Sequence, residues 1–383
     1  MVDLDRLIGR FSDLYGSSPR VFSAPGRVNI IGEHTDYNEG FVLPMAINRR
    51  TYVATGKRND RRVRVTSVVL DGDGSFDLDR HSSADKKWLR YIAGVAWTLI
   101  EQGIALTGAN LLIDSDVPIG GGLSSSAALE VATGKALTGI VGVSIDGQQL
   151  ALATQRAENV FVGTKVGIMD QLTAVLGRAE HALLIDCRSF SVSPISLANL
   201  NAAIVVCNTN VKHDLASSAY NQRRAECERG VQLLREKLPK IRTLRDVTIE
   251  DLDKHEREWP EPIRRRCRHV VTENDRTLKA ADALSAGDRE SLGRLMKASH
   301  ESLRDNYEVS SRELNTMVEI AYQQEGVFGA RMTGGGFGGC TINVVRHDAV
   351  DQFRECITRE YRAATNIEPD IYVVKADDGA RED

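Results

Sequence analysis

The chain has 383 residues, 42% of them hydrophobic and 27% charged, with a net charge of −4. That length can bury a large core and points to two domains. The slight acidity argues against nucleic acid as a principal partner, because neutralising phosphates needs a basic surface, whereas a neutral small molecule would suit.

The opening Met1-Val2-Asp3-Leu4-Asp5-Arg6-Leu7-Ile8 carries acids where a secretory signal carries bases, and no run is long enough to cross a bilayer. The expectation is a cytoplasmic protein with no membrane partner. Leu4, Leu7, Ile8, Phe11, Leu14 and Tyr15 recur at helical spacing and predict an amphipathic opening helix. Short β-rich runs follow at 21–23, 28–31, 51–54 and 62–69. Between the second and third of these, Gly32-Glu33-His34-Thr35-Asp36-Tyr37-Asn38 sets ionisable side chains between two apolar runs. Composition alone reads that stretch as a solvated hairpin as readily as a site. Upstream, Ala24-Pro25-Gly26-Arg27-Val28-Asn29 adds a guanidinium to the same unit. The whole run from Gly26 to Asn38 closely resembles the signature of the galactokinase family, one of the GHMP small-molecule kinases.

A helix is predicted over 88–101, with Trp88, Tyr91, Ile92, Val95 and Leu99 on one face. Trp88 reads first as a core anchor; the resemblance offers it second as a neighbour of adenine. After a strand at 111–114 comes Pro118-Ile119-Gly120-Gly121-Gly122-Leu123-Ser124-Ser125-Ser126-Ala127-Ala128, a glycine-rich loop feeding a run of good helix formers. Glycines let backbone approach an anion, and the free N–H groups at a helix start favour negative charge. No Gly-Lys-Ser/Thr ends the loop, so it is not a P-loop. It is similar to the second GHMP motif, which implies that Gly120, Gly121, Gly122, Leu123, Ser124, Ser125 and Ser126 form the ATP site.

Helices are expected at 147–161 and 168–176, bringing Glu158 and Asp170. On the residues alone, Asp170 either caps a helix or does chemistry. The resemblance, carried by Glu158-Asn159, Phe161-Val162-Gly163 and Gly167-Ile168-Met169-Asp170-Gln171, implies that Asp170 is the catalytic base and that Ser126 and Glu158 ligate Mg²⁺. Thr164-Lys165-Val166 departs from the family pattern here. A strand pair at 181–186 and 202–207 is expected to close a first domain of residues 1–200.

Residues 201–383 form the expected second domain. Tyr220 opens a long helix and aligns with a family tyrosine beside the sugar. Arg264-Arg265-Arg266-Cys267-Arg268 reads as a solvated helix face. The glycines of Gly334-Gly335-Gly336-Phe337-Gly338-Gly339 mimic a dinucleotide fingerprint, but Cys340-Thr341-Ile342-Asn343-Val344-Val345 reads as a strand, whereas that fingerprint opens a helix. This loop is similar to the third GHMP motif. A helix at 348–361 and a strand at 371–374 follow. The six cysteines form no Cys-x-x-Cys pair, which predicts reduced thiols and neither a zinc site nor a disulfide framework.

The resemblance covers residues 19–375. It implies an α+β fold of two domains, a GHMP-kinase N-terminal domain (ribosomal protein S5 domain 2-like) with a left-handed β-α-β crossover and a ferredoxin-like C-terminal domain, with the active site in the cleft between them. It also implies phosphorylation of D-galactose by ATP at the anomeric hydroxyl, the first committed step of galactose catabolism, by a monomer. Asp170 and Arg27 would then be catalytic, with Glu33, His34, Thr35, Asp36, Asp170 and Tyr220 around the sugar. Kinases of N-acetylgalactosamine or arabinose, and a non-catalytic regulator that binds galactose and ATP, are the alternatives.

Overall fold

The computed structural model describes residues 2–70, 72–80, 84, 86–211 and 216–383. Its first part is built on a six-stranded sheet whose spatial order is Arg381–Glu382, Arg20–Asn29, Pro44–Lys57, Ala109–Ser115, Arg62–Ser67 and Asp73–Asp77. Neighbours run antiparallel except Arg62–Ser67 beside Ala109–Ser115. Successive strand residues face opposite sides, and both sides are covered. Val21, Ala54 and Leu112 meet Leu7 and Phe11 of the opening helix Leu4–Tyr15. Phe22, Val53 and Leu111 enter the larger core under the helices Lys87–Glu101 and Ser125–Ile140.

The two short runs expected at 21–23 and 28–31 are one strand. Its register shifts between Pro25 and Arg27, as expected where a proline interrupts a ladder. The pair expected at 181–186 and 202–207 does not form. His181–Asp186 pairs instead with Ser191–Ser196 and Phe41–Val42, because the intervening turn allows a local hairpin.

The strand Ala203–Asn208 lies inside the second sheet, ordered Val327–Thr333, Cys340–Val345, Ala203–Asn208, Asp370–Val374, with every neighbour antiparallel. With the helix Val350–Thr365 between the last two strands in sequence, that order is ferredoxin-like. Cys340–Val345 and Ala203–Asn208 are buried at every position, the polar Thr341, Asn343 and Asn208 included. Between Asn208 and Val327 the chain is largely helical, with Ala216–Arg235, Glu261–Ala286 and Arg289–Ser302 the longest helices.

The basic run is not a solvated face. Arg266 is fully buried and pairs with Glu226 at 2.9 Å and with Glu308. The helix turns this guanidinium inward to join three segments of the chain. All six cysteines are free and buried. Among the described residues no helix is long and apolar enough to cross a membrane.

A final strap ties the two parts. After Val374 the chain returns to the first sheet, where Arg381–Glu382 adds the edge strand beside Phe22 and Ser23. Buried Arg50 holds the approach: Nη1 donates to Asp377 at 3.0 Å and to the Asp378 carbonyl at 2.7 Å, and Nη2 to the Gly379 carbonyl at 2.8 Å.

Candidate active site

The glycine loop and the first signature are stitched together before any side chain acts. Arg27 N–H donates to the Leu123 carbonyl at 3.1 Å, while the Leu123 side chain is in the core. From this junction the Arg27 guanidinium makes three bonds: Nη1 to the Gly122 carbonyl at 2.6 Å, Nε to Asp170 Oδ1 at 2.8 Å, and Nη2 to Asp170 Oδ2 at 3.0 Å. The Ser124 hydroxyl donates to the same Oδ2 at 2.6 Å. Asp170 sits in the first turn of Met169–Leu176 and does not cap it. Its side chain keeps 24% exposure, against 6% for Arg27, so the pair opens on one side.

That side is a cavity of about 310 Å³. Gly120, Gly122, Ser124, Ser125 and Ser126 supply one wall, and Gly334 to Phe337 another. The helix Ser125–Ile140 starts here, with its first N–H groups free of intrahelical partners. Each of the three glycine-bearing segments places a non-glycine residue in the left-handed region: His34 at φ 63°, Ser124 at φ 59° and Phe337 at φ 59°. Backbone strain of about 1–3 kcal/mol per residue is retained mainly where function needs it.

The first signature divides by side chain. Asp36 lines the cavity, and burial followed by the charge of Asp170 pushes its pKa up to about 6. It lies so close to Gly167 that a Cβ there would fall 1.8 Å from Oδ2. His34 also lines the cavity. Burial, then the neighbouring His269, lowers its pKa to about 3, so it is neutral. Its Nδ1 meets the Tyr37 hydroxyl at 2.8 Å, and Nε2 is buried without a partner among the described residues. Tyr220 stands over His34 and Tyr37, with ring centroids at 5.4 and 5.5 Å.

Two residues of the signature are committed elsewhere. Thr35 is fully buried, its hydroxyl within 2.9 Å of the Gly32 carbonyl and 2.6 Å of the Phe41 carbonyl; it closes the loop and does not face the cavity. Glu33 reaches the cavity edge, yet its carboxylate is taken up by Asn29 Nδ2 at 2.5 Å, Gly334 N–H at 2.7 Å and Arg331 Nη2 at 2.8 Å. It bridges the two domains from the edge of the cavity. Trp88 is also absent from the cavity wall; it packs against the first domain's core, where the apolar stripe of its helix points.

Beyond Asp170 lies a buried acidic cluster. Glu158 sits on a π-helical segment, Ala157–Val162, a distortion often found at functional sites. It hydrogen-bonds Ser126 and Glu130, and burial plus the charge of Asp170 lift its pKa to about 7. Glu130, one turn past Ser126, is fully buried; burial first, then Glu158, raises its pKa well above the usual range. Gln171 Nε2 donates to both, at 3.0 Å to Glu158 and 3.3 Å to Glu130, and Glu130 Oε1 has no partner among the described residues. The Ser126 hydroxyl and the Glu158 and Glu130 carboxyl groups, one oxygen of which has no partner among the described residues, are hard donors of the kind that fit a divalent ion such as Mg²⁺. Among the described residues no group of three or more Asp, Glu, His or Cys is arranged to hold a metal ion.

Three family profiles match in order: the galactokinase galactose-binding signature at 9–57, the GHMP kinase N-terminal domain at 90–178 and the GHMP kinase C-terminal domain at 280–363. The galactokinase of Roseiflexus sp. (strain RS-1) is 49% identical over 99% of this chain and 97% of its own length. The chain belongs to the galactokinase family. The galactokinase of Chloroflexus aurantiacus is 51% identical over 95% of this chain and 94% of its own. Lactococcus lactis galactokinase, solved in complex with galactose, superposes with a TM-score of 0.95 at 36% identity over 99% of both chains. Methanococcus jannaschii mevalonate kinase, at 19% identity and a TM-score of 0.66 over 94% of this chain and 99% of its own, shares the fold.

For this family member the sequence reading missed Glu130, Asn29, Arg331 and Tyr307. A lone carboxylate inside Ala127-Ala128-Leu129-Glu130-Val131-Ala132 was the available signal for the first. Arg331 and Tyr307 act through contacts remote in sequence, and Asn29 through Glu33 four residues on.

Proposed function

We propose that the protein transfers the γ-phosphoryl group of ATP to the anomeric hydroxyl of D-galactose, giving galactose 1-phosphate. The observation that carries this reading is the Arg27–Asp170–Ser124 constellation, open to a cavity walled by the glycine loop and the sugar signature.

Phosphoryl transfer asks for alignment and charge neutralisation more than covalent chemistry. The glycine loop and the start of the Ser125–Ile140 helix offer backbone N–H groups to the nucleotide phosphates. Ser126 and Glu158 would hold Mg²⁺, which when bound offsets the negative charge of the phosphates. Asp170 accepts the proton of the sugar hydroxyl, a role worth typically ~10²–10⁴-fold. Arg27 fixes the orientation of that carboxylate through two bonds and faces the charge that develops on the moving group. Asp36 and the unpartnered His34 Nε2 take the remaining sugar hydroxyls, and Tyr220 covers them. A 4-epimer leaves one of these buried groups unpaired and is penalised accordingly.

The deciding assay is ATP- and Mg²⁺-dependent phosphate transfer to galactose, beside N-acetylgalactosamine, arabinose and glucose, on the native chain and on Asp170→Asn. Turnover on galactose that collapses in the variant supports both substrate and base. Preference for another sugar would transfer the reading to that kinase. Binding of galactose and ATP without turnover would point to a regulator and withdraw the roles of Arg27 and Asp170.

A further inference from the structure

The sugar signature belongs to the first domain, but its backbone is gripped by the second. The Gly32 N–H donates to Glu273 Oε1 at 3.0 Å. One residue on, the Glu33 carbonyl accepts from His269 Nε2 at 3.1 Å, and the Phe41 N–H beyond the loop donates to Asn274 Oδ1 at 2.9 Å. All three partners lie on the helix Glu261–Ala286. His269 and Glu273 are four residues apart, so one face of that helix presents both. Two of the three bonds fall on the two residues just before His34, whose left-handed backbone aims its ring into the cavity.

The gripping groups are themselves fixed. A carbonyl only accepts, so neutral His269 must carry its proton on Nε2, and Nδ1 must then accept from the Ser302 hydroxyl, 2.9 Å away. Glu273 is fully buried and also receives the Ser299 hydroxyl at 2.6 Å and Arg276 Nε at 2.7 Å. The His269 ring faces Tyr307 at 4.6 Å, and the Tyr307 hydroxyl meets that of Tyr37 at 2.7 Å, which in turn holds His34 Nδ1. The loop is therefore held at its backbone and, through Tyr37, at its side chain by a buried network that touches no part of the phosphate loop.

We propose that His269 and Glu273 are positioning residues for the sugar: they set the place of His34 and Asp36, and so the affinity and selectivity for the acceptor, without acting on the nucleotide. The proposal rests on the reading of this cavity as a galactose site. A displacement of about 1 Å at a reacting site can cost ~10²-fold in rate, which sets the expected scale.

The test compares His269→Ala and Glu273→Ala with His269→Gln and Glu273→Gln, which keep an N–H donor and a carbonyl acceptor at similar reach. Galactose KM, ATP KM, kcat and thermal midpoints are measured for each. The alanine variants should raise galactose KM on the order of 10- to 100-fold and weaken discrimination against glucose, with ATP KM within about twofold of native; the glutamine variants should recover most of the loss. If the alanine variants do not fold, Asn274→Ala replaces them, with a smaller rise in galactose KM expected. Unchanged galactose KM in the folded variants overturns the proposal, as does an equal rise for ATP. A native chain inactive on galactose would sink the underlying reading, and this proposal with it.

Discussion

Two arginine–carboxylate pairs border the cavity, and their surroundings assign them opposite tasks. In Glu33–Arg331 the side chains keep 2% and 0% exposure. Asn29 and Gly334 fill the carboxylate's remaining capacity, and Arg331 Nη1 donates to the Asn29 and Ile30 carbonyls. In Arg27–Asp170 the carboxylate is held on one edge and keeps 24% exposure toward the cavity. The same ion pair is a rivet where its acceptors are saturated and a reagent where they are not. Exposure and committed lone pairs together separate the two roles: the buried Glu33 carboxylate meets four residues, Asn29, Arg331, Thr333 and Gly334, whereas the Asp170 carboxylate meets two, Arg27 and Ser124, and opens on the cavity.

The sharpest way to break this contrast is to damage each pair in turn. Asp170→Asn keeps the shape and a bond to Arg27 but cannot take a proton, so kcat should fall ~10²–10⁴-fold with the thermal midpoint little changed. Arg331→Met leaves Glu33 buried and unpaired, a change that typically costs about 3–5 kcal/mol; chemical denaturation should show that loss of stability. If Arg331→Met folds as stably as the native chain and loses only kcat, the distinction between rivet and reagent fails. Gly167→Ala puts a methyl where Asp36 stands, and should raise galactose KM by about tenfold or more while sparing ATP KM. The smallest effect concerns acid. Asp36 must be ionised to accept a sugar hydroxyl and its pKa is raised to about 6, so kcat/KM for galactose should decline below that pH, by about tenfold at pH 5. Asp36→Asn should lack that acid limb, and a profile unchanged by the substitution would exclude Asp36 as its source.

Much of the site was legible because it is written in short contiguous segments. The loop at Gly334–Gly339 joins two strands, as Cys340 to Val345 indicated, and Asp170 faces Arg27 across 143 residues. What stayed hidden depends on partners that local pattern does not name. Ala203–Asn208 is apolar up to Cys207, so nothing in it says that it pairs with Cys340–Val345 and not with the hairpin before it. Arg266 sits in a run so basic that it reads as solvated, and no local pattern singles out His269 or Glu273, because their partners lie at Glu226, Glu33 and Gly32. Three of the four residues that meet the Glu33 carboxylate, Arg331, Thr333 and Gly334, come from a distant segment that no local pattern names.

The strap also bears on how the chain comes off the ribosome. The six-stranded sheet takes its edge from Arg381–Glu382, more than 350 residues after Asn29. At ~5–20 residues per second of synthesis, the nascent first domain waits tens of seconds with the Arg20–Asn29 edge bare and Arg50 lacking its partners in the strap. An open strand edge of that kind invites pairing with neighbouring chains, and at Phe22 and Ser23 that edge is closed only by the last residues to be synthesised.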